Sequence, residues 1–202
     1  MSQVIYFVRH GETTWNLQGR MQGHLDAPLT ARGLAEARRG GAALRGHIER
    51  DEPYLLVFSP LRRTRETAAI IAEEVGAACL AGRRSDDRLK EVSWGAWDGL
   101  TFEEIKARDP ETWQARIHDR WNVAPPGGES YRMLYERVAA WFESVADHPR
   151  LIVVSHGALG RALRGVYLEL APAEILALDE PQDALIRLAD GTATIIPTAR
   201  SG

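Results

Sequence analysis

Cysteine occurs once, at Cys79, so the chain cannot staple itself with an internal disulfide. That scarcity points to a reducing compartment. A chain of 202 residues is also long enough to bury a sizeable core without such a staple, and one domain over 1–202 is expected. Lysine is nearly as rare: of 25 basic residues only Lys90 and Lys106 are lysines. The net charge of −3 is too small to point to nucleic acid or to a membrane surface. No apolar run reaches membrane-spanning length, and Met1 leads into VIYFV without the basic segment of a secretory leader. Cytoplasm is therefore the expected location. The patterns G-x-x-x-x-G-K-[ST] and G-x-G-x-x-G are missing, which argues against a nucleotide-loop enzyme. Zinc-type ligand spacing is missing too, so no metal and no cofactor are expected.

What is present is a set of short apolar runs between amphipathic stretches. Residues 3–8, 54–58 and 151–155 read as buried strands, and ALIRL and TATII near the end as a closing pair. Thr30 is placed to cap a helix over roughly 31–48. Ser59 and Pro60 resemble an N-cap followed by proline at the first helical position. The helix after them carries Leu61, Thr64, Ala68, Ile71 and Val75 on one face and ends at Gly76. Ser130 is placed to cap another amphipathic helix along Leu134, Val138, Trp141, Phe142 and Val145, and a further helix is expected near 158–168. Buried runs alternating with helices predict an α/β fold, in three layers around a mostly parallel central sheet. Residues 93–130 differ, with four tryptophans, a capping box at Thr101 and Glu104, and the break APPGGES. They are expected to form a helical lid over one end of the sheet.

Three of the strands end in chemistry. The first delivers Arg9-His10-Gly11, the second runs into SPLRRTRET, and the third ends in Ser155-His156-Gly157. Ligands of open α/β sheets bind beyond the carboxyl ends of the strands, so parallel neighbours would bring these residues to one crevice. Two imidazoles among arginines suit a phosphoryl group: guanidinium forks match its oxygens, and a neutral imidazole can attack phosphorus. Departure of an alkoxide then needs an acid. Glu91, in LKEVSWGAWDG, is the first candidate, with Glu12, Asp98 and Glu129 as rivals. Ser155 lacks the first glycine of a G-x-S-x-G elbow, which weakens a serine-hydrolase reading.

The ordered motifs VRHGETTWN, MQGHLDAPLT, SPLRRTRETA, LKEVSWGAWDG, PPGGES and VVSHG resemble the histidine phosphatase superfamily, in the branch with cofactor-dependent phosphoglycerate mutases and fructose-2,6-bisphosphatases. The resemblance spans residues 4 to 157. It implies that His10 is the phosphorylated nucleophile, that Arg9, Arg63 and His156 bind the phosphoryl group, and that Glu91 is the acid. Asn16, Gln22 and Gly23 match loop positions near the phosphate or substrate. Thr64 and Asp98 depart from the alanine and glutamate usual in the pattern. The expected activity is metal-independent hydrolysis of a small phosphorylated metabolite, with a mutase as the alternative and non-catalytic binding of a phosphorylated ligand as a third reading.

Overall fold

The structure is a computed structural model that describes residues 3–49 and 51–198. Its one sheet contains β1 (Val4–Arg9), β2 (Tyr54–Phe58), β3 (Leu80–Ser85), β4 (Arg150–Ser155), β5 (Ala184–Ala189) and β6 (Thr192–Pro197), in the order β3-β2-β4-β1-β5-β6. The β3-β2-β4-β1 part is parallel, while β5 runs antiparallel to β1 and forms a hairpin with β6. This is the expected α/β class. The short apolar runs are the strands covered on both faces.

Successive strand residues point to opposite faces, and the two cores divide accordingly. Ile5, Phe7, Leu151 and Val153 face a core shared with α6 (Tyr131–Ser144) and α7 (Gly157–Tyr167). Tyr6, Val8, Ile152 and Val154 face a core shared with α2 (Ala31–His47) and α3 (Arg62–Val75). Three layers result. Thr30 caps α2 by accepting from the Gly33 amide, and Ser130 caps α6 by accepting from the Met133 amide. Gly76 ends α3 at φ +89°.

The start of α3 corrects one expectation. Ser59 and Pro60 lie outside the helix, which begins at Arg62 behind an extended Leu61 with no side-chain cap. The Ser59 Oγ accepts only a long bond, 3.4 Å, from the Leu61 amide, and also lies 2.8 Å from His156 Nε2. The Thr64 hydroxyl donates instead to the carbonyls of Ser59 and Leu61, at 2.8 and 2.7 Å. Arg63 nevertheless falls in the first turn, as its motif position implies.

The excursion at 93–130 is the expected helical lid. It contains a 3-10 turn (Gly95–Trp97), α4 (Phe102–Arg108) and α5 (Pro110–His118). Trp97, Ile105 and Trp113 form a small core of its own, and the capping box of Thr101 with Glu104 starts α4. Two further short helices, α1 (Thr14–Leu17) and α8 (Pro172–Ala177), complete the eight α-helices among the described residues. None of these is long and apolar enough to cross a membrane.

One backbone contact positions the turn after β1. A Cβ on Gly33 would stand 2.1 Å from the Glu12 carbonyl oxygen, and one on Gly11 would stand 2.2 Å from the Gly33 carbonyl oxygen. Main chain therefore packs on main chain between the His10 turn and the first turn of α2. Gly33→Ala is expected to destabilise the fold by about 1–3 kcal/mol, the usual cost of overpacking. Urea unfolding checks this, and an unchanged midpoint would contradict it.

Candidate active site

The strand register brings the chemical residues together. In the sheet β4 lies between β1 and β2, with Arg9 opposite Ser155 and Phe58 opposite Val154. The His10 amide then donates to the Ser155 carbonyl at 2.9 Å, and the Ser59 amide to that of Val154 at 3.1 Å. His10, Ser59 and His156 thus leave three neighbouring strand ends side by side. The His10 and His156 rings meet at 5.2 Å between centroids, inclined by 65°.

His10 is 3% exposed, and its Nδ1 lies 2.8 Å from the Gly11 carbonyl oxygen. A carbonyl only accepts, so Nδ1 carries the proton and the lone pair is on Nε2. Nε2 makes no hydrogen bond among the described residues. Burial, then Arg63, then Arg9 hold the His10 imidazolium well below its ordinary pKa. Burial and Arg63 do the same to His156. Both rings are therefore neutral near pH 7.

Arg63 is 1% exposed. Its guanidinium donates to the carbonyls of Leu25 (2.7 Å) and Gly23 (2.8 Å) and to Asp26 Oδ1 (3.0 Å). Arg9 donates to the Glu180 carbonyl at 2.7 Å. Arg9 Nε, Arg63 Nε and His156 Nδ1 are buried without a hydrogen-bond partner among the described residues. Unsatisfied buried polar atoms are costly, and these three nitrogens lie among the strand-end residues.

Glu91 sits across the crevice at the start of α7. Its Oε1 accepts from the amides of Val92 (2.9 Å) and Leu159 (3.2 Å), and its Oε2 from that of Ala158 (3.3 Å). Burial, and next the carboxylate of Glu180, raise its pKa above the ordinary carboxyl value, against the pull of the Val92 amide, Arg63 and Arg9.

A cavity of about 240 Å³ is lined by Arg9, His10, Asn16, Gln22, Gly23, Arg63 and Glu91, which are seven of the eight residues singled out from sequence. His156 is the exception. It is fully buried behind His10 and does not line the cavity. Asn16 stands at the rim, and its Oδ1 closes a capping box with Thr13. Of the rival acids, Glu12 accepts from Thr30, Glu129 is held by Arg137 and the Ser93 amide, and Asp98 abuts Gly23; none of them lines the cavity. Among the four lid tryptophans, Trp94 alone lines it. Sequence reasoning missed Glu180, Tyr131 and Arg120, which also line it. Glu180 follows the last recognisable motif in a turn with no signature. Tyr131 reads as an ordinary first-turn residue of α6.

The sequence profile of the histidine phosphatase superfamily (branch 1) matches residues 5–192. The chain belongs to this superfamily. Among curated histidine-phosphatase relatives, the 2,3-bisphosphoglycerate-dependent phosphoglycerate mutase of Azorhizobium caulinodans is 35% identical over 185 residues, covering 87% of this chain and 86% of that one. Phosphoserine phosphatase 1 of Hydrogenobacter thermophilus is 33% identical over 162 residues, covering 79% and 73%. Among solved structures, the mycobacterial glucosyl-3-phosphoglycerate phosphatase in complex with VO3 superposes with a TM-score of 0.76 at 30% identity, covering 96% of this chain and 97% of that one. The relatives' names thus include both mutases and phosphatases, and phosphoryl transfer is the activity common to them.

The two depressed imidazoles make stability depend on pH. Unfolding returns them to ordinary values near 6.5, so below that pH the unfolded chain binds protons that the folded chain does not. Their contribution is present above pH 6.5 and is lost as pH falls, by up to about 1.4 kcal/mol per pH unit for each histidine. The raised pKa of Glu91 acts in the opposite direction from about pH 4.5 upward. A comparison with His10→Asn isolates the effect. The variant is expected to lose stability less steeply than the parent between pH 6.5 and 5, measured by urea unfolding at each pH, and parallel curves would refute the depressed His10.

Proposed function

We propose that the protein hydrolyses small phosphomonoesters through a phosphohistidine on His10. The observation that carries this reading is the His10 geometry: a neutral ring tied through Nδ1 to Gly11, with Nε2 unbonded, in the field of Arg63 and Arg9. In the first step the Nε2 lone pair forms the N–P bond as the P–O bond to the alcohol breaks. Arg9, Arg63 and His156 stabilise the phosphoryl oxygens, which would give partners to their three buried orphan nitrogens. Glu91, whose protonated form burial favours, passes its proton to the departing oxygen. In the second step water attacks phosphorus and Glu91 takes its proton. The N–P electrons return to Nε2, and orthophosphate leaves. Asn16, Gln22 and Gly23 border the substrate side of the cavity.

Hydrolysis is favoured over mutase action by the compactness of the lid, whose helices α4 and α5 have seven and nine residues. The phosphatase names of the Hydrogenobacter and mycobacterial relatives agree with it. The mutase name of the Azorhizobium relative supports the second reading, in which a hydroxyl of the bound product, not water, takes the phosphoryl group. Release of orthophosphate from a panel of metabolite phosphates tests the first reading. Conversion of 3-phosphoglycerate to 2-phosphoglycerate without phosphate release would establish the second.

His10→Ala is expected to abolish turnover, and acid quenching of the parent enzyme to trap an acid-labile phosphoryl group on His10. Full activity in the variant would end the covalent mechanism. Chelators are expected to leave the rate unchanged, because Arg9 and Arg63 supply the positive charge at the phosphoryl group and would repel a cation. Inactivation by EDTA, reversed by a divalent ion, would overturn that.

Glu91→Gln keeps the shape and removes the proton. The expected loss is about 10²–10⁴-fold for alkyl phosphates. It is expected to be much smaller for nitrophenyl phosphate in a single turnover, since nitrophenolate leaves without a proton. Equal losses would reduce Glu91 to a structural role.

A further inference from the structure

A second cavity, of about 310 Å³, lies in the lid beside the first. Its walls are mainly aromatic and aliphatic, from Trp94, Phe102, Trp113 and Ile117. Trp94, Phe102 and Arg120 line both cavities, so the two spaces share a wall. Phe102 meets Trp94 edge-on at 6.4 Å and Trp113 at 5.3 Å, which fixes a ring-lined slot between α4 and α5. Phe102 and Ile117 are 45% and 54% exposed, and large apolar side chains left open at a concave site are a ligand signature.

The charges beside this slot are one-sided. Arg116 is only 2% exposed, stacks 4.9 Å from the Trp94 ring centroid, and gives one hydrogen bond, to the Val123 carbonyl at 2.5 Å. The groups acting on it are Tyr131 and Arg120, with no carboxylate among them. Arg120 lies 5.3 Å from the Tyr131 ring centroid and has no ion pair among the described residues. The one acid in the lining, Glu103, is paired with Lys106 at 2.7 Å. A buried guanidinium without an anion is costly, and here it borders an apolar slot that adjoins the phosphoryl site.

From this juxtaposition we infer that the lid slot is the subsite for the leaving group, and that it takes an apolar ring bearing a negative charge: the substrate class is the phosphate ester of a hydroxylated aromatic or alicyclic acid. The ring stacks among Trp94, Phe102 and Ile117, and the acid faces Arg116 and Arg120. An ammonium group is rejected at the same place, because it would meet two cations with no free carboxylate. The inference rests on the phosphomonoesterase reading, since it assigns the other end of the same substrate.

Binding, not turnover, is the readout that separates the two. His10→Ala protein is titrated by calorimetry with 4-carboxyphenyl phosphate, phenyl phosphate, 4-(aminomethyl)phenyl phosphate and glycerol 2-phosphate. The expected order of affinity is the order named, with the carboxylate favoured over the ammonium by at least about tenfold. Adding Ile117→Glu, a change at a half-exposed position, is expected to collapse the preference for carboxyphenyl over glycerol phosphate by about tenfold. Phe102→Ser is expected to do the same without adding charge. Equal affinities, or a preference that survives both substitutions, overturn the subsite. If the order appears but the parent enzyme releases no phosphate from any of the esters, the subsite stands and the hydrolase reading falls. If phosphate is released without the order, the reverse holds.

Discussion

A guanidinium that water barely reaches is the constraint on which the site is built. Arg63 could not be buried unless its charge found oxygen partners, and the segment before α2 is folded to provide them. The carbonyls of Gly23 and Leu25 and the carboxylate of Asp26 converge on it. Gly23 turns at φ +47°, and a Cβ there would stand 1.9 Å from Asp98 Oδ1, so the turn requires glycine. Asp26 also accepts from the Arg62 amide at 2.9 Å, which fastens the loop to the exposed start of α3. The field of this one charge then reaches both imidazoles and Glu91. It disfavours imidazolium at His10 and His156 and draws on the carboxyl of Glu91.

Glu91 shows how a structural requirement and a chemical one can share a side chain. His156 occupies the N-cap position of α7 and offers it no side-chain bond. The first amides of the helix turn to Glu91 instead. A helix N-terminus favours negative charge, while burial and Glu180 disfavour it. In the proposed reaction these opposed terms act in sequence. Burial favours the neutral acid, and the carboxylate that forms when the proton departs is met at once by oriented amides. Gly157 keeps this end open, since a Cβ there would meet Glu180 Oε2 at 2.4 Å.

The legible parts of the chain are those governed by local rules. Strands β1, β2 and β4 are read from apolar runs because both of their faces are covered. The caps at Thr30, Thr101 and Ser130 are read from residue type and spacing. Strand β3, with the sequence LAGRRS, escapes that reading because it is a largely exposed edge strand that needs no apolar alternation. Ser59 misleads for a related reason: its hydroxyl is shared between the Leu61 amide and a long-range bond to His156, and the helix starts only at Arg62. The depth of His156 and the presence of Glu180 in the crevice are set by packing between segments far apart in sequence. No local pattern encodes either.

The two ends of the crevice are built from different material, and this bears on the mixture of mutase and phosphatase names among the relatives. The phosphoryl end is sheet: strand termini locked by the β1-β4-β2 register, with every charged group held by backbone. Such a frame cannot vary by much without losing the core. The proposed leaving-group end is lid: short capped helices around three core residues of their own, joined to the crevice through Trp94, Phe102 and Arg120. In the proposed reaction, formation of a phosphohistidine asks only for the first end. Whether water or a retained hydroxyl then attacks depends on how long the dephosphorylated product is held over His10, which is a property of the second. Under the proposed mechanism, a change in lid residues alone would therefore suffice to turn one outcome into the other, with the strand ends left as they are.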